Sequence, residues 1–324
     1  MFSYQEILQR VEQEISNLSF NTPPENLFAP ITYILSLGGK RIRPALTLIA
    51  CNIYDESIDS SIAPALCIEV FHNFTLLHDD LMDQADKRRN NPTVHKVWNE
   101  NTAILSGDAM LITAYRLMAG SPSTHLKEML DLFTVTALEI CGGQQYDMDF
   151  ESRTDVTEAE YLEMIRLKTA VLLACSLKLG AIAGGASANE ADHLYQYGLH
   201  IGLAFQLQDD LLDVYGDTAT FGKNIGGDIL SNKKTFLLVY ALKHGSPEQK
   251  NELYSWFENK TFDPAEKIAA FRRIYDDLRV NEVTTNQIEK FYDLAGQDLQ
   301  QLNVSEDRLS VLKETADLLL NRIS

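Results

Sequence analysis

The chain has 324 residues, of which 45% are apolar and 23% charged, values that are ordinary for a globular protein with a large buried core. Its 46 acidic and 28 basic residues give a formal net charge of −18. This surplus of negative charge argues against a nucleic-acid partner, because phosphate backbones attract surplus lysine and arginine.

The sequence predicts helices along nearly the whole chain, because prolines and glycines are few and apolar residues recur every three or four positions. Long helices are predicted over residues 62–83, 157–183 and 191–215. About three or four shorter amphipathic helices are predicted from Pro247 onward. We find no alternating strand pattern, internal repeat or low-complexity linker. We therefore predict one large all-α domain over residues 1–324.

The chain carries no sign of export in its sequence. The N-terminal segment MFSYQEILQRVEQEI has acidic residues early and no apolar core, so we expect no signal peptide. We find no run of about 18 apolar residues and expect no transmembrane segment. The cysteines are widely spaced and form no CxxC pair, which predicts buried thiols in a reducing compartment, with the cytoplasm as the expected location. They are Cys51, Cys67, Cys141 and Cys175.

One segment breaks the helical pattern. Residues 216–234 read GDTATFGKNIGGDILSNKK, with four glycines, three lysines and no periodicity. Long loops of this kind are often lids or binding loops, and are otherwise disordered. We predict such a role here, since the loop directly follows an acidic cluster.

Two acidic clusters share the pattern DDxxD near the ends of predicted helices. They consist of Asp79, Asp80 and Asp83, and of Asp209, Asp210 and Asp213. Residues four apart share one helix face, so the first and last aspartates of each cluster project together and repel each other. A cation relieves that repulsion, and carboxylates suit Mg²⁺, which also bridges to phosphates. A solvated acidic face is the alternative, but two copies, each extended by a polar residue (His72 or Gln206), favour a metal site.

Small groups of basic residues are candidates for binding phosphate. They are Lys40 and Arg43 in GGKRIRP, Arg88 and Arg89 after the first cluster, Lys168 beside Thr169 in the long middle helix, and Lys223 and Lys233 in the loop. Glycines let a backbone approach phosphate, and arginine can bind phosphate through two nitrogens.

Each basic group also has an ordinary explanation. GGKRIRP could be a basic surface turn, and the arginine pair could form salt bridges with Asp83 and Asp86. Lys168 could lie along apolar surface with its charge in solvent. The loop lysines could simply be solvated.

These stretches together resemble the trans-prenyl diphosphate synthases, the all-helical polyprenyl synthetase family. The similarity covers residues 38–235 and lies in GGKRIRP, HDDLMDQADKRRNNPTVH, KTAVLLACSLKLGA, FQLQDDLLD and FGKNIGGDILSNKKT. The resemblance implies an all-α fold of isoprenoid synthase type, a single large helical bundle with a central apolar cavity. It also implies an Mg²⁺-dependent prenyltransferase that joins an allylic diphosphate to isopentenyl diphosphate, and a homodimer.

The resemblance implies a role for each candidate residue. Direct binding of about three Mg²⁺ ions is implied for Asp79, Asp83 and Asp209, with support from Asp80, Asp210 and Asp213. Binding of the allylic diphosphate is implied for Arg88, Lys168, Lys223 and Lys233. Binding of isopentenyl diphosphate is implied for Lys40, Arg43, His72 and Arg89. Contact with the hydrocarbon where the cation forms is implied for Thr169 and Gln206.

The resemblance also implies the reaction sequence. The diphosphate leaves the allylic carbon, the isopentenyl double bond attacks the resulting cation, and loss of a proton gives a trans product. The departing diphosphate is the expected base, since the sequence offers no evident protein base.

Product length in the family depends on residues just before the first DDxxD, here Phe74 and Thr75. One aromatic residue with a small neighbour and no insertion in the motif resembles enzymes that stop at C20 or C15. We therefore predict geranylgeranyl diphosphate, with farnesyl diphosphate as the alternative. A helical wheel puts Thr75 close to the Asp79 face but Phe74 roughly 140° away, so Phe74 could instead be an ordinary core residue.

Two asparagines, Asn90 and Asn232, stand where the family commonly has glycine. Asparagine tolerates left-handed backbone angles better than most residues do. Neither substitution removes a charge, so we expect activity to be retained.

Two other functions remain open. A class I terpene cyclase also uses DDxxD, but it commonly pairs this motif with an NSE-type motif and needs no second diphosphate site. A non-catalytic synthase subunit commonly lacks one aspartate motif. This chain has two DDxxD motifs and additional cations, which favours the synthase.

Overall fold

The computed structural model describes residues 1–216, 225–259 and 261–320. The first helices are α1 (Tyr4–Ser16), α2 (Glu25–Ser36), α3 (Ile42–Tyr54), α4 (Ile62–Met82), α5 (Val94–Val97), α6 (Glu100–Met118) and α7 (Leu126–Glu151). They are followed by α8 (Glu158–Ile165), α9 (Val171–Ala183), α10 (Ala188–Tyr215), α11 (Gly227–Leu230), α12 (Phe236–His244), α13 (Pro247–Glu258), α14 (Pro264–Asp277), α15 (Val280–Leu299) and α16 (Glu306–Leu320). The prediction of an all-α protein is confirmed.

The predicted long helices are present with small changes at their ends. The first ends at Met82, and the third begins at Ala188. The second begins after Thr157, which forms a capping box with Glu160 and so satisfies the first backbone N–H groups of α8. A π-helical turn, Arg166–Ala170, joins α8 to α9 and was not predicted.

The strands of the described chain are β1 (Lys87–Arg88) and β2 (Asn91–Pro92), which form a small antiparallel hairpin. The two residues between them, Arg89 and Asn90, have φ values of 50° and 64°. Two successive left-handed residues are typical of tight hairpin turns, and asparagine is one of the residues that tolerate them. Asn90 can therefore adopt the left-handed backbone conformation for which the family commonly has glycine at this position.

The described residues group into two compact units. The first contains Met1–Thr134, Cys175–Leu194 and Asn303–Leu312, and the second contains the remaining described residues. Each unit carries one DDxxD motif. The organisation as one domain over residues 1–324 stays a prediction.

The core of the first unit is built around α4. This helix packs most extensively against α6 and then against α3. Its buried residues include Ile68, Val70 and Phe71, and Leu48 is among the buried residues of α3. Anchoring along this length fixes the end of α4, where the first motif lies.

The second unit contains two apolar clusters that hold the end of α10. One cluster includes Leu207, Tyr161 and Phe236. The other includes Val214 and Phe271. Leu207 and Val214 lie just before and just after the second motif in sequence, so the helix carrying that motif is anchored on both sides of it.

One cysteine departs from the prediction of buried thiols. Cys51, Cys67 and Cys175 are buried, but Cys141 is exposed, so the prediction was wrong for that residue. Cys141 follows the exposed Leu138 by about one turn of α7 and therefore lies on the same outward face.

One helical segment among the described residues, Asp59–Met82, is long and apolar enough to cross a membrane by length and composition. Its 18-residue window has a mean hydropathy of 1.2, and 61% of that window is buried inside the protein. A buried core helix passes the same test, and α4 is such a helix. The segment is therefore weak evidence for a membrane span.

Candidate active site

The first DDxxD motif lies at the end of α4. Asp79 and Asp80 belong to its last turn, and Asp83 caps the helix, with its backbone N–H donating to the Asp79 carbonyl over 2.8 Å. Asp80 is only 3% exposed, whereas Asp79 is half-buried and Asp83 is exposed. The middle carboxylate thus turns into the protein, and the outer two remain accessible to solvent.

Arg88 holds the buried Asp80 through two hydrogen bonds. Its Nε donates to Asp80 Oδ2 and its Nη2 donates to Asp80 Oδ1, each over 2.7 Å. A forked pair of this kind is among the strong charge-assisted interactions. Arg88 therefore pairs with Asp80 rather than with Asp83 or Asp86, and Asp86 pairs with Lys96 instead. The two hydrogen bonds fix the Arg88 guanidinium in position relative to the first motif.

The second motif buries its middle aspartate in the same way. Asp210 is 2% exposed and accepts hydrogen bonds from the Tyr161 hydroxyl, from Gln206 Nε2 over 3.1 Å and from the Phe236 backbone N–H over 3.4 Å. Burial and the nearby charge of Asp228 raise the pKa of Asp210 to about 7. The Tyr161 and Gln206 hydrogen bonds oppose this rise.

The last aspartate of the second motif fastens the segment that begins at residue 225. Asp213 is 9% exposed, and its Oδ2 accepts a hydrogen bond from the Asp228 backbone N–H over 3.0 Å. The Asp213 carbonyl accepts another from the Gly226 N–H over 2.6 Å. Asp209, by contrast, is half-buried.

The six aspartates therefore fall into two sets. Three are buried and bonded to protein donors, and three are more accessible. The buried set is Asp80, Asp210 and Asp213, and the accessible set is Asp79, Asp83 and Asp209. This division matches the supporting and metal-binding roles implied by the resemblance, which stay predictions.

The accessible carboxylates suit Mg²⁺ by their chemistry. In the described part of the chain, no group of three or more His, Cys, Asp or Glu side chains is arranged to hold a metal unaided. Mg²⁺ does not require one, because it retains waters and is usually bound by one or two carboxylates together with substrate phosphates. The donors therefore fit a cation that binds with a diphosphate.

Arg43 and His72, two predicted ligands of isopentenyl diphosphate, contact each other in the first unit. Arg43 Nη1 lies 3.2 Å from His72 Nε2, and because a guanidinium only donates, this nitrogen of His72 is unprotonated. Burial lowers the pKa of His72 well below its usual value, and neighbouring arginines lower it further. These are Arg43, Arg89, Arg88 and Arg41. Arg43 Nε is buried without a described protein partner, which leaves a donor for an anion.

Arg89 packs against the glycine turn that precedes Lys40. Its Nη1 donates to the Gly38 carbonyl, and a Cβ at Gly39 would lie 2.6 Å from Arg89 Nη2. Gly39 also has a φ of 137°, a backbone angle that few other residues adopt. Glycine is thus required for this approach, which sets the exposed Lys40 and Arg89 close to the same turn.

Lys168 and Thr169 lie within the π-helical turn of the second unit. Lys168 Nζ donates to Asp147 on α7, so its charge is paired rather than directed into solvent. Thr169 Oγ1 donates to Gln206 Oε1 over 3.1 Å. Turns of this type are frequent at functional sites, and this one links Thr169 through Gln206 to the buried Asp210.

Lys233 lies in an acidic environment in the second unit. Burial would lower the pKa of Lys233, but four nearby carboxylates outweigh that effect and raise the pKa. They are Asp228, Asp147, Asp210 and Asp209. Lys223, the other predicted loop lysine, lies outside the described residues. Residues 225–235 contain the short helix α11, so this part of the predicted loop has a defined conformation.

The sequence model of a family described as Polyprenyl synthetase matches residues 24–275. The chain belongs to the polyprenyl synthetase family. The prediction of this family, and with it of a prenyltransferase, is confirmed. Members of the family generally depend on Mg²⁺ and use allylic and isopentenyl diphosphates.

This polyprenyl synthetase is similar to several named proteins. It is 42% identical over 238 residues to a geranylgeranyl diphosphate synthase of Methanosarcina mazei, covering 72% of this chain and 73% of the relative. It is 37% identical over 318 residues to a short chain isoprenyl diphosphate synthase of Methanothermobacter thermautotrophicus, covering 97% and 94%. A crystal structure of a geranylgeranyl pyrophosphate synthase superposes with a TM-score of 0.94 at 41% identity, covering 100% of both chains. The isoprenoid synthase fold is thereby confirmed.

Phe74 and Thr75, the predicted determinants of product length in this polyprenyl synthetase, are both half-buried. The Phe74 ring lies 5.5 Å from that of Phe71 and 4.7 Å from that of His78, measured between ring centroids. Thr75 Oγ1 donates to the His72 carbonyl over 2.8 Å. Phe74 therefore belongs to an aromatic group on α4, and its role in product length stays a prediction.

Several residues of the synthetase site were not identified from the sequence. Asp147 pairs with Lys168, and Tyr161 donates to Asp210. Arg41 lies in sequence between the predicted ligands Lys40 and Arg43 and has a left-handed φ of 47°. Its Nη1 donates to Glu69 Oε1 over 2.6 Å. The sequence signals for these residues are weak. Glu69 is a single glutamate within the apolar helix α4, and Asp147 lies in α7 without a distinctive spacing. Their partners lie 21 to 49 positions away in sequence.

Proposed function

We propose that this protein condenses an allylic diphosphate with isopentenyl diphosphate and releases geranylgeranyl diphosphate as its main product. The observation that carries the proposal is the common arrangement of the two DDxxD motifs. In each, the middle aspartate is buried against protein donors, while Asp79 and Asp83 of the first motif and Asp209 of the second remain more accessible. Such a division suits paired metal-binding motifs and has no evident use on a merely solvated surface.

The accessible aspartates would hold about three Mg²⁺ ions together with the allylic diphosphate. When bound, these ions supply positive charge that stabilises the leaving diphosphate. Arg88 would bind the same diphosphate with Nη1, because Nε and Nη2 are engaged by Asp80. Lys168 and Lys233 would also bind this diphosphate. Their ammonium groups would then contact phosphate oxygens in place of the neighbouring aspartates.

Isopentenyl diphosphate would bind to the basic group of the first unit. Burial lowers the pKa of Arg43 to about 10, so this side chain is still charged at neutral pH. Its buried Nε and the cationic Lys40 and Arg89 offer donors to a second diphosphate. His72 stays neutral beside them and keeps Arg43 in place.

Thr169 and Gln206 would face the carbon at which the cation forms. Gln206 is fixed in orientation because Oε1 accepts from Thr169 and Nε2 donates to Asp210. Fixed dipoles aimed at developing charge stabilise a transition state without reorganisation. The proton lost at the end of the reaction would pass to the departing diphosphate.

The activity can be tested with radiolabelled isopentenyl diphosphate, Mg²⁺ and allylic primers of five, ten and fifteen carbons. We expect a C20 product and loss of turnover when Mg²⁺ is removed with EDTA. Asp83→Asn should lower kcat by about a hundredfold or more. Asp86→Asn is the matched control, because Asp86 is exposed and pairs with Lys96, and it should change kcat little.

Other outcomes would contradict this function. Release of hydrocarbon from farnesyl diphosphate without uptake of isopentenyl label would identify a terpene cyclase. A folded protein without turnover on any primer would identify a non-catalytic subunit. Full activity in EDTA would exclude the metal-binding role of the aspartates.

We further propose that Phe74 limits the product to C20. Phe74→Ala should lengthen the main product beyond C20, because removing the ring opens space beside Phe71 and His78. Phe74→Tyr keeps the bulk and should leave the product at C20. Chromatography of the products gives the answer, and an unchanged distribution in Phe74→Ala would exclude Phe74 as the limiting residue.

We also propose that the protein is a homodimer that uses the exposed apolar face of α6. Ile104, Leu105 and Ile112 are 44%, 59% and 68% exposed on this helix, and exposed apolar patches commonly mark protein interfaces. Light scattering should give about twice the chain mass of 36.5 kDa. Leu105→Glu should halve that mass, whereas Leu318→Glu, at another exposed leucine, should not. A monomeric wild-type protein would contradict the proposal.

The expected location of the synthase is the cytoplasm. The four cysteines are all unpaired, which is usual in a reducing compartment.

A further inference from the structure

One buried ammonium group has no part in the proposed reaction. Lys267 on α14 is 0% exposed. In the described part of the chain it forms no ion pair; its Nζ donates to Asn232 Oδ1 over 2.6 Å and to the Leu230 carbonyl over 3.3 Å. The same Nζ lies 4.5 Å from the centroid of the Phe262 ring. Burial of a charge without a carboxylate partner is costly. The hydrogen bonds and the ring contact of Lys267 Nζ offset part of that cost.

The acceptor Asn232 occupies a special backbone position. Its φ is 59°, in the left-handed region that asparagine tolerates better than most residues. This is the position at which the family commonly has glycine. Asparagine supplies the same backbone geometry and also a side-chain oxygen for Lys267, which glycine cannot offer.

The residue that follows is Lys233, a proposed ligand of the diphosphate. Its backbone N–H donates to the Asp228 carbonyl over 2.9 Å. Its side chain is close enough to Asp228 and Asp147, and to the motif residues Asp210 and Asp209, that these carboxylates outweigh burial and raise its pKa. A shift of Asn232 would therefore move Lys233 relative to those carboxylates.

Helix α14 supports this segment at a second point. Gly226 has a φ of 83°, and a Cβ there would lie 2.6 Å from Ile268 Cδ1. Adjacent residues of α14, Lys267 and Ile268, thus touch the two ends of the turn that includes α11. The carbonyl of Asp213 in the second motif also accepts a hydrogen bond from the Gly226 N–H.

We propose that Lys267 and Asn232 are a positioning pair that fixes Lys233 for binding of the allylic diphosphate. The inference rests on the proposed function, because it assigns a purpose to the orientation of a substrate-binding lysine. Neither residue of the pair contacts the substrate. Their hydrogen bond keeps the end of α11 and the backbone at residue 232 in one conformation.

The test compares Asn232→Gly with Asn232→Asp in the full-length enzyme. Glycine keeps the left-handed backbone and removes the side-chain acceptor, whereas aspartate keeps the acceptor. We expect Asn232→Gly to raise KM for the allylic diphosphate by about tenfold, as for a lost hydrogen bond to a charged group, and to leave KM for isopentenyl diphosphate unchanged. Asn232→Asp should restore the allylic KM to within about threefold of wild type.

A readout without turnover accompanies the kinetics. Calorimetry with a non-reactive thiolo analogue of the allylic diphosphate should show the same loss of affinity in Asn232→Gly. Lys267→Met should show it too, and the double variant should be no weaker than either single variant. Lys250→Met is the control, since Lys250 also donates to a backbone carbonyl, that of Lys243, but at another place in the unit. It should change neither measurement.

The outcomes separate the inference from the function on which it rests. If wild type has no prenyltransferase activity, the proposed function fails. If wild type is active and Asn232→Gly changes neither KM, or changes both KM values equally, the positioning role is excluded. A loss of thermal stability without a change in analogue affinity also excludes it. If Lys267→Met does not fold, the Asn232 pair decides the question alone.

Discussion

The chemistry proposed for this synthetase depends on one constraint, the burial of the middle aspartate of each DDxxD motif. Carboxylates this close on a helix repel each other and compete for any cation. Arg88 removes Asp80 from that competition through two hydrogen bonds, and Tyr161 with Gln206 does the same for Asp210. Asp79, Asp83 and Asp209 are then left accessible near the ends of well-anchored helices.

Fixed partners also explain how a chain with a net charge of −18 can bind anions. A small number of cations is placed where burial and fixed partners hold each one. Arg43 rests on an unprotonated His72, and Lys233 is surrounded by acidic residues. In the absence of substrate, the aspartates near Lys233 compensate its positive charge. A diphosphate with its metal ions would replace that balance by a larger set of opposite charges.

The helical class, the two motifs and most ends of the three long helices could be predicted because they depend on local patterns. Periodicity, capping residues and i, i+4 spacing are visible in any window of the chain. The π-helical turn at Lys168 was not visible in this way, since it depends on packing. The partners Asp147 and Lys267 were missed for a related reason: each acts on a residue more than 20 positions away. Their charges looked like ordinary helix surface until the fold brought them together.

A structure with Mg²⁺ and a non-reactive allylic diphosphate analogue tests the central claim most directly. We expect oxygens of Asp79, Asp83 and Asp209 at about 2.1 Å from metal ions. We also expect Asp80 to remain bonded to Arg88, and Asp210 to Tyr161. Metal bound directly by Asp80 or Asp210, with Asp79, Asp83 or Asp209 left without a cation, would contradict this prediction.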